Sequence, residues 1–299
     1  MLLIITDSTD VTSDCIIQEF HKFGYKDFLR FNTDLYESYD IEVMPNGFNI
    51  TDPTGRTVNK ETLSALYWRK PWMTIEPEPY TLENFEYQQR KYLVRDIVNL
   101  CIHSNNVYHL VEPYAEHRVG KIIQMIVAEK YFPIPEWKII SGNKVKTLSP
   151  PWLVKTLYNM RVGMNSPKVS AWTADTLSPS YQWFLQKEVK GNYDVTVVYV
   201  NGQIFAYRLN REHLDWRTDI NESMEWTKFS LASDVAKNID NYMIELNLKY
   251  GRLDFIQDCQ GVLHFLEVNP NGQFAWLDLN NTDGLIKCVA QNAIGAPYA

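Results

Sequence analysis

The feature that most constrains this chain is a pair of apolar stretches near its C-terminus with polar residues set into them at two-residue intervals. Gly251-Arg-Leu-Asp-Phe-Ile256 and His264-Phe-Leu-Glu-Val-Asn-Pro-Asn-Gly-Gln-Phe-Ala-Trp276 read as strands joined by the turn Asp258-Cys-Gln-Gly261. Folding on that turn puts Asp254 opposite Phe265 and on one face with Glu267 and Asn269. Side chains two apart on a strand point the same way, and diagonal neighbours across a pair lie roughly 7–8 Å apart. A single acidic residue near a strand end is more often simply solvated. Three polar groups on one face, framed by Leu253, Phe255, Ile256, Phe265, Leu266 and Val268, are costly there unless paired or metal-bound. Two carboxylates and a carboxamide make an all-oxygen set suited to magnesium, which keeps ligand positions for water and substrate phosphates.

The rest of the composition narrows the class. The net charge of −7 argues against a general nucleic-acid binder, which needs a basic footprint. No stretch reaches the roughly 18 apolar residues of a membrane span, and the N-terminus reads as a buried strand, not a targeting segment. Cys15, Cys101, Cys259 and Cys288 form no CxxC pair, which suits reduced thiols in a cytoplasmic protein. The histidines show neither HxxxH nor HExxH spacing, so zinc is disfavoured.

Along the chain, residues 2–6, 14–24 and 26–31 suggest a β-α-β opening. A hairpin over 48–58 and a strand over 63–68 follow. Helical spacing over 82–103 puts Phe85, Tyr92, Leu93, Ile97 and Leu100 on one stripe. A helix over 116–130 would bury Val119, Ile122, Ile123, Ile126 and Val127. Strands are expected at 137–140, 152–157 and 183–188. Asn201-Gly202 gives a hairpin over 194–209, and helices are expected over 233–250 and 285–293. These patterns divide the chain into an α/β unit (1–106) and two α+β units (107–188 and 189–299).

The order of further residues adds a resemblance. Lys121 on a helix, Lys155 in the apolar run Trp152-Leu-Val-Lys-Thr156, the segment Phe184-Leu-Gln-Lys-Glu-Val189, Asp194, and then the acidic hairpin resemble the ATP-grasp ligases. Glu267-Val-Asn-Pro-Asn-Gly-Gln273 is strongly typical of them. Four more segments resemble the branch that modifies peptides, the microviridin-type ligases or graspetide synthetases: Leu3-Ile-Ile-Thr-Asp-Ser-Thr9, Arg30-Phe-Asn-Thr-Asp34, Tyr67-Trp-Arg-Lys-Pro-Trp72 and Leu214-Asp-Trp-Arg217.

The resemblance implies an ATP-grasp fold of three subdomains, with the nucleotide held between the two α+β units. It implies that Lys121 and Lys155 contact ATP phosphates and that Gln186, Lys187 and Val189 frame the adenine. Asp194 would be the acidic residue past the hinge, and Arg217 would lie near the phosphates and the acceptor carboxylate. Asp254, Glu267 and Asn269 would hold a pair of magnesium ions. Two positions depart from the pattern. Thr196 stands where the family usually has arginine, a task that Arg208 or Arg211 would then take or that is lost. The segment 156–167, a candidate lid, has a single glycine, Gly163.

The implied activity is ATP-dependent activation of Asp or Glu side chains in a ribosomal precursor peptide, followed by side-chain ester or amide macrocycles, with a leader segment docked near 194–209. A homodimer is compatible with this kinship. A carboxylate–amine ligase for a small amino acid or protein tail is the alternative, and a nucleotide-binding protein without catalysis is the third. In isolation each of these residues has a blander reading. Lys121 and Lys155 are ordinary surface cations, Gln186 is a structural amide, and Arg217 pairs with Asp215 or Asp219.

Overall fold

The computed structural model describes residues 1–71, 76–104, 106–145, 152–155, 157, 170–171, 180–211 and 225–295. Arg217 and its Leu214–Arg217 segment, Trp72, and the candidate lid apart from Leu157 lie outside the described residues.

The chain opens with β1 (Leu2–Thr6), α1 (Val11–Lys22) and β2 (Phe28–Asn32), then a small antiparallel sheet of β3 (Asp40–Met44), β4 (Gly47–Thr51) and β5 (Thr57–Asn59). β6 (Ala65–Trp68), α2 (Leu82–Ile102) and β7 (Tyr108–His109) complete a parallel sheet of order β2-β1-β6-β7. β1 and β6 are buried along their whole length, as the continuous apolar runs require for a parallel sheet covered on both faces.

The second part holds α3 (Ala115–Arg118), α4 (Lys121–Ala128), β8 (Trp137–Ser141), α5 (Gly142–Val145), β9 (Trp152–Lys155), β10 (Ser170–Ala171) and β11 (Gln182–Lys187), with sheet order β10-β9-β11-β8. The third holds β12 (Tyr193–Val200), β13 (Gln203–Asn210), β14 (Thr227–Lys228), α6 (Ser233–Glu245), β15 (Tyr250–Gln257), β16 (Leu263–Asn269) and α7 (Leu285–Ala293). Its sheet order is β14-β13-β12-β15-β16. The fold class is thus the expected one, an α/β part followed by α+β parts. Asn201 and Gly202 both have positive φ (48° and 92°), the tight hairpin turn that their sequence calls for.

Three sequence expectations are corrected. On α2 the buried stripe is Val94, Ile97, Val98 and Cys101, while Phe85, Tyr92 and Leu100 are exposed. The expected helix over 116–130 is broken at Val119–Gly120, and α4 buries Gln124, Met125 and Ala128 while Ile122, Ile123 and Ile126 face outward. Periodicity alone did not find the packed face, because Gln124 lies on it. The Gln124 amide donates to Val119 O (2.8 Å), and its Oε1 accepts from the Val268 N–H (3.0 Å), which ties the helix to β16. The helix expected over 233–250 stops at Glu245, where Asn247 takes a left-handed φ of 52° and Tyr250 already begins β15.

The third sheet positions the site. The odd-numbered residues of β12 (Val195, Val197, Tyr199) lie in a core with Ile239, Tyr242 and Met243 of α6. On the other face, Val198 and Val200 join the core of the first sheet together with Leu285, Cys288 and Val289 of α7. Thr196 and Asp194 continue that second face beyond this cover.

One close approach fixes the link between β11 and β12. A Cβ on Gly191 would sit 2.4 Å from both Gln257 O and Ile256 Cγ2, so only glycine fits. Gly191→Ala is expected to cost about 1–3 kcal/mol through overpacking, read as a lowered urea midpoint at unchanged m-value.

Candidate functional site

β15 and β16 do not pair in the register expected from the turn. Phe255 lies opposite Phe265, and a bulge then shifts the ladder so that Asp254 lies opposite Glu267 and Arg252 opposite Asn269. Asp254 is therefore not opposite Phe265. The physical gain is clear. In an unbroken strand Phe265 and Glu267 would point to the same side. The extra residue, Leu266, turns Phe265 into the aromatic core with Phe132, Phe255 and Tyr242 at centroid distances of 5.2–5.6 Å. It also leaves Glu267 on the opposite face beside Asp254. Asp254, Glu267 and Asn269 share one face, and a bulge next to such a set re-aims a side chain at little cost to the core.

Each of the three is held. Asp254 Oδ1 accepts from Thr196 Oγ1 (2.8 Å) and its Oδ2 from Arg252 Nη2 (3.1 Å). Glu267 Oε2 accepts from Lys121 Nζ (2.6 Å), and Asn269 Oδ1 from the Asn271 N–H (3.1 Å). Burial works against the charge of Arg252. The carboxylates of Asp254 and Glu267 outweigh it and hold the guanidinium above its ordinary range. Thr196, at the position where the resembled family carries arginine, thus binds the carboxylate, and the cation beside Asp254 is Arg252, which the sequence reading missed. Its signal was placement two residues before Asp254, on the same face. Arg208 does not take the task. It pairs with Val195 on the opposite face and lies over Tyr193 and Phe229. Arg211 donates to Val189 O (2.9 Å).

Lys121 begins α4, so its ammonium sits at the helix N-terminus, where the backbone N–H groups also favour anions. It lines a cavity of about 240 Å³ with Lys70, Glu116, Gln124, Glu267 and Asn269. Lys155 on β9 donates to the buried Gln186 on β11 (2.7 Å), whose Nε2 reaches Met125 Sδ. Lys187 gives its N–H to Glu136 O (2.8 Å) and its ammonium to the Glu136 carboxylate (2.5 Å). Asp194 lies on β12, two residues from Thr196 and on the same face.

The donor set fits a hard dication: two carboxylates and one carboxamide, all oxygen, with positions left for phosphates. Among the described residues no group of three or more His, Cys, Asp and Glu could hold a metal ion. All four cysteines are free thiols. Among the described residues no helix is long and apolar enough to cross a membrane.

A second unforeseen element reaches the site from the first sheet. Arg69, fully buried at the end of β6, donates to Asn271 Oδ1 (2.8 Å) and Gly272 O (3.3 Å). Asn271 Nδ2 returns a bond to Arg69 O, and the Arg69 N–H is held by Ile5 O (3.0 Å). Tyr250, pushed up to about 12 by burial, donates to Gly272 O at 2.6 Å. The loop after Asn269 is therefore gripped by the N-terminal sheet. The sequence signal, an arginine and a lysine inside Tyr67-Trp-Arg-Lys-Pro-Trp72, was visible without its meaning.

No family model matches the chain, and no curated protein sequence matches it. Solved structures do. The macrocyclase MdnC from Microcystis aeruginosa MRC, crystallised with its precursor peptide MdnA, superposes with a TM-score of 0.84 at 22% identity, over 99% of this chain and 99% of that one. A RiPP-associated ATP-grasp ligase from Chryseobacterium gregarium, in complex with ADP and a leader and core peptide, gives 0.82 at 21% identity, over 99% and 97%. The ATP-grasp ligase PsnB, complexed with a phosphomimetic minimal precursor, Mg and ADP, gives 0.77 at 13% identity, over 98% and 97%. At these identities the likeness carries the architecture: from end to end, this chain has the ATP-grasp fold.

Proposed function

We propose that this protein is an ATP-dependent ligase that activates Asp or Glu side chains of a ribosomal precursor peptide and closes ester or amide rings with side chains of the same peptide. The observation that carries this reading is the bulged β15–β16 pair, which presents Asp254, Glu267 and Asn269 together beside Lys121, within a fold shared with ligases that bind such peptides.

The chemistry follows from charge. A carboxylate attacks the γ-phosphate of ATP to give an acyl phosphate and ADP. A hydroxyl or amine then displaces phosphate, so each ring removes one water. The first step brings two anions together, and neutralising charge is worth several kcal/mol of barrier. Magnesium, held by Asp254, Glu267 and Asn269, would supply Lewis-acid neutralisation of the phosphates. Lys121 and Lys155 would bind the phosphate oxygens. Gln186 would orient the Lys155 ammonium, and the hinge at Lys187 and Val189 would frame the base, with Asp194 beyond it. Arg217 would face the acceptor carboxylate. A leader segment would dock near the β12–β13 hairpin and its neighbouring helix. The three-part division at 106 and 188 belongs to this reading, as does a cytoplasmic setting, with which free thiols agree.

The test is mass spectrometry with ATP, Mg²⁺ and a synthetic peptide of Thr/Lys and Asp/Glu blocks. The expected result is loss of about 18 Da per ring with matching ADP release. ADP release with free amino acids and none with the peptide would transfer the protein to the small-acid ligases.

A further inference from the structure

Beside the cavity lined by Lys121 and Glu267 lies a larger one of about 700 Å³ that none of the roles above uses. Lys70, Glu116 and His117 line both. The larger space lies between the strand-end segment Arg69-Lys70-Pro71 and the side of α2 that carries Tyr87, Lys91, Tyr92 and Arg95. In a chain of net charge −7, three cations (Lys70, Lys91 and Arg95) line it against two carboxylates, Glu76 and Glu116; the fourth cation, Arg69, is already committed to Asn271 and Gly272. The ion pairs there are loose or exposed, with Lys91 3.9 Å from Glu76 and Arg95 beside its neighbour Asp96. Such pairs contribute little and exchange readily for a ligand's charge.

The walls suit a peptide. The Arg95 guanidinium stacks on Tyr92 at 4.1 Å, and Lys91 lies 5.5 Å from the Tyr87 ring. Tyr114 is held with a left-handed φ of 62°, uncommon for so large a residue, with its ring 5.1 Å from Trp68. Lys70 stands at the junction. Burial and the neighbouring Arg69 hold its ammonium below the ordinary lysine range, with Arg252 adding to this and Glu116 and Asp10 opposing it. A desolvated cation of that kind gains from an incoming anion.

We propose that this cavity is the docking groove for the acidic segment of the peptide substrate. In it Lys70 anchors the carboxylate next in line for activation, and Lys91 and Arg95 hold acidic side chains further along. An extended peptide advances roughly 3.3–3.6 Å per residue, so acids two to four residues away fall about 7–14 Å from the phosphate site, along α2. This rests on the ligase reading above.

The test uses a fluorescein-labelled 16-residue peptide of Thr/Lys and Asp/Glu blocks, its counterpart with Asn and Gln for Asp and Glu, and the variants K91E/R95E and K70M, with ADP–Mg²⁺ present. Lys91 and Arg95 are exposed, so the double variant is expected to keep its fold. Anisotropy is expected to show the acidic peptide bound more tightly than the neutral one, with the preference falling about tenfold or more in K91E/R95E and in K70M while ADP affinity holds in K91E/R95E. Equal affinity of wild type and K91E/R95E for the acidic peptide, or no preference for it in wild type, overturns the groove. If ring closure proceeds in wild type and in K91E/R95E at the same peptide KM, the groove falls and the ligase reading stands. If the preference is lost as expected but no water-loss product ever forms, the groove stands and the ligase reading falls.

Discussion

Glu267→Gln is expected to leave a folded protein whose ATP turnover is about 10²–10³-fold lower, or lower still. The two halves of that expectation have different physics. Lys121 and Glu267 are 2.6 Å apart, with side-chain exposures of 13% and 28%. A partly solvated pair adds little to stability, and a glutamine keeps an oxygen for the ammonium. Melting should therefore move by only a few degrees. Catalysis depends instead on the negative charge, because a neutral amide binds a dication far less well than a carboxylate does.

The bulge at Leu266 spends a ladder position to place this carboxylate beside Asp254 and away from Phe265, which marks it as the group the hairpin is shaped around. Asp254→Asn should follow the same pattern. Asn269→Ala should act more weakly, since it removes a neutral oxygen. ADP release measures the rate. Nucleotide affinity with Mg²⁺ against EDTA measures the cation separately, and the wild-type gain from Mg²⁺ should vanish in Glu267→Gln. A variant that keeps more than a tenth of wild-type turnover, with Mg²⁺ still tightening ADP, removes the hairpin from the metal role.

The site was legible in the sequence wherever alternation alone decides the outcome. Glu267 and Asn269 do share a face, which Asp254 joins through the bulge, and Asn201-Gly202 does turn a hairpin. The route to that shared face was not legible. The expected register and the observed one differ, and the bulge compensates, because turn length and bulge position are set by packing of Phe255 and Phe265 against Phe132 and Tyr242, residues distant in sequence. Apolar count also misled on α4, where a buried glutamine takes the core face and three isoleucines face outward. Hydrophobicity ranks residues by type. Burial also rewards a polar group whose donor and acceptor atoms both find partners, as those of Gln124 do. The partners of the acidic residues were hidden for a related reason. Thr196 reaches Asp254 across strands and Arg69 reaches Asn271 across two hundred positions, where no local pattern extends, whereas Arg252 stood two residues from Asp254, where strand alternation alone could have shown it.

Arg69→Met should be the most destabilising single substitution in this region, costing about 3–5 kcal/mol. The side chain is fully buried, and its charge is balanced by Asp10, also buried, whose Oδ2 lies 3.8 Å from Nε and accepts from Thr6 (2.9 Å) and Ser13 (2.6 Å). Burial opposes the guanidinium's charge, but Tyr67, Tyr250 and Asp10 together hold it above its ordinary range. Methionine fills much of the volume and removes the cation. It leaves the Asp10 carboxylate without its counter-charge and the Asn271 amide oxygen without this donor in a dry place, while the Gly272 carbonyl keeps the Tyr250 hydroxyl, and the buried unbalanced charge and the lost donor account for most of the cost. Lysine is expected to rescue only part of the loss, because it restores the charge on a shorter side chain whose ammonium falls short of the place of Nη1, which donates to both Asn271 and Gly272. For a chain of this size the melting temperature should fall by on the order of 10 °C in Arg69→Met. Function should fall further than the folded fraction explains. The Asn271 N–H that holds Asn269 Oδ1 belongs to the loop Arg69 grips, so the Mg²⁺ concentration for half-maximal ADP release should rise well before the protein unfolds. A variant that melts with wild type and keeps its Mg²⁺ requirement would mean that the N-terminal sheet does not hold this loop.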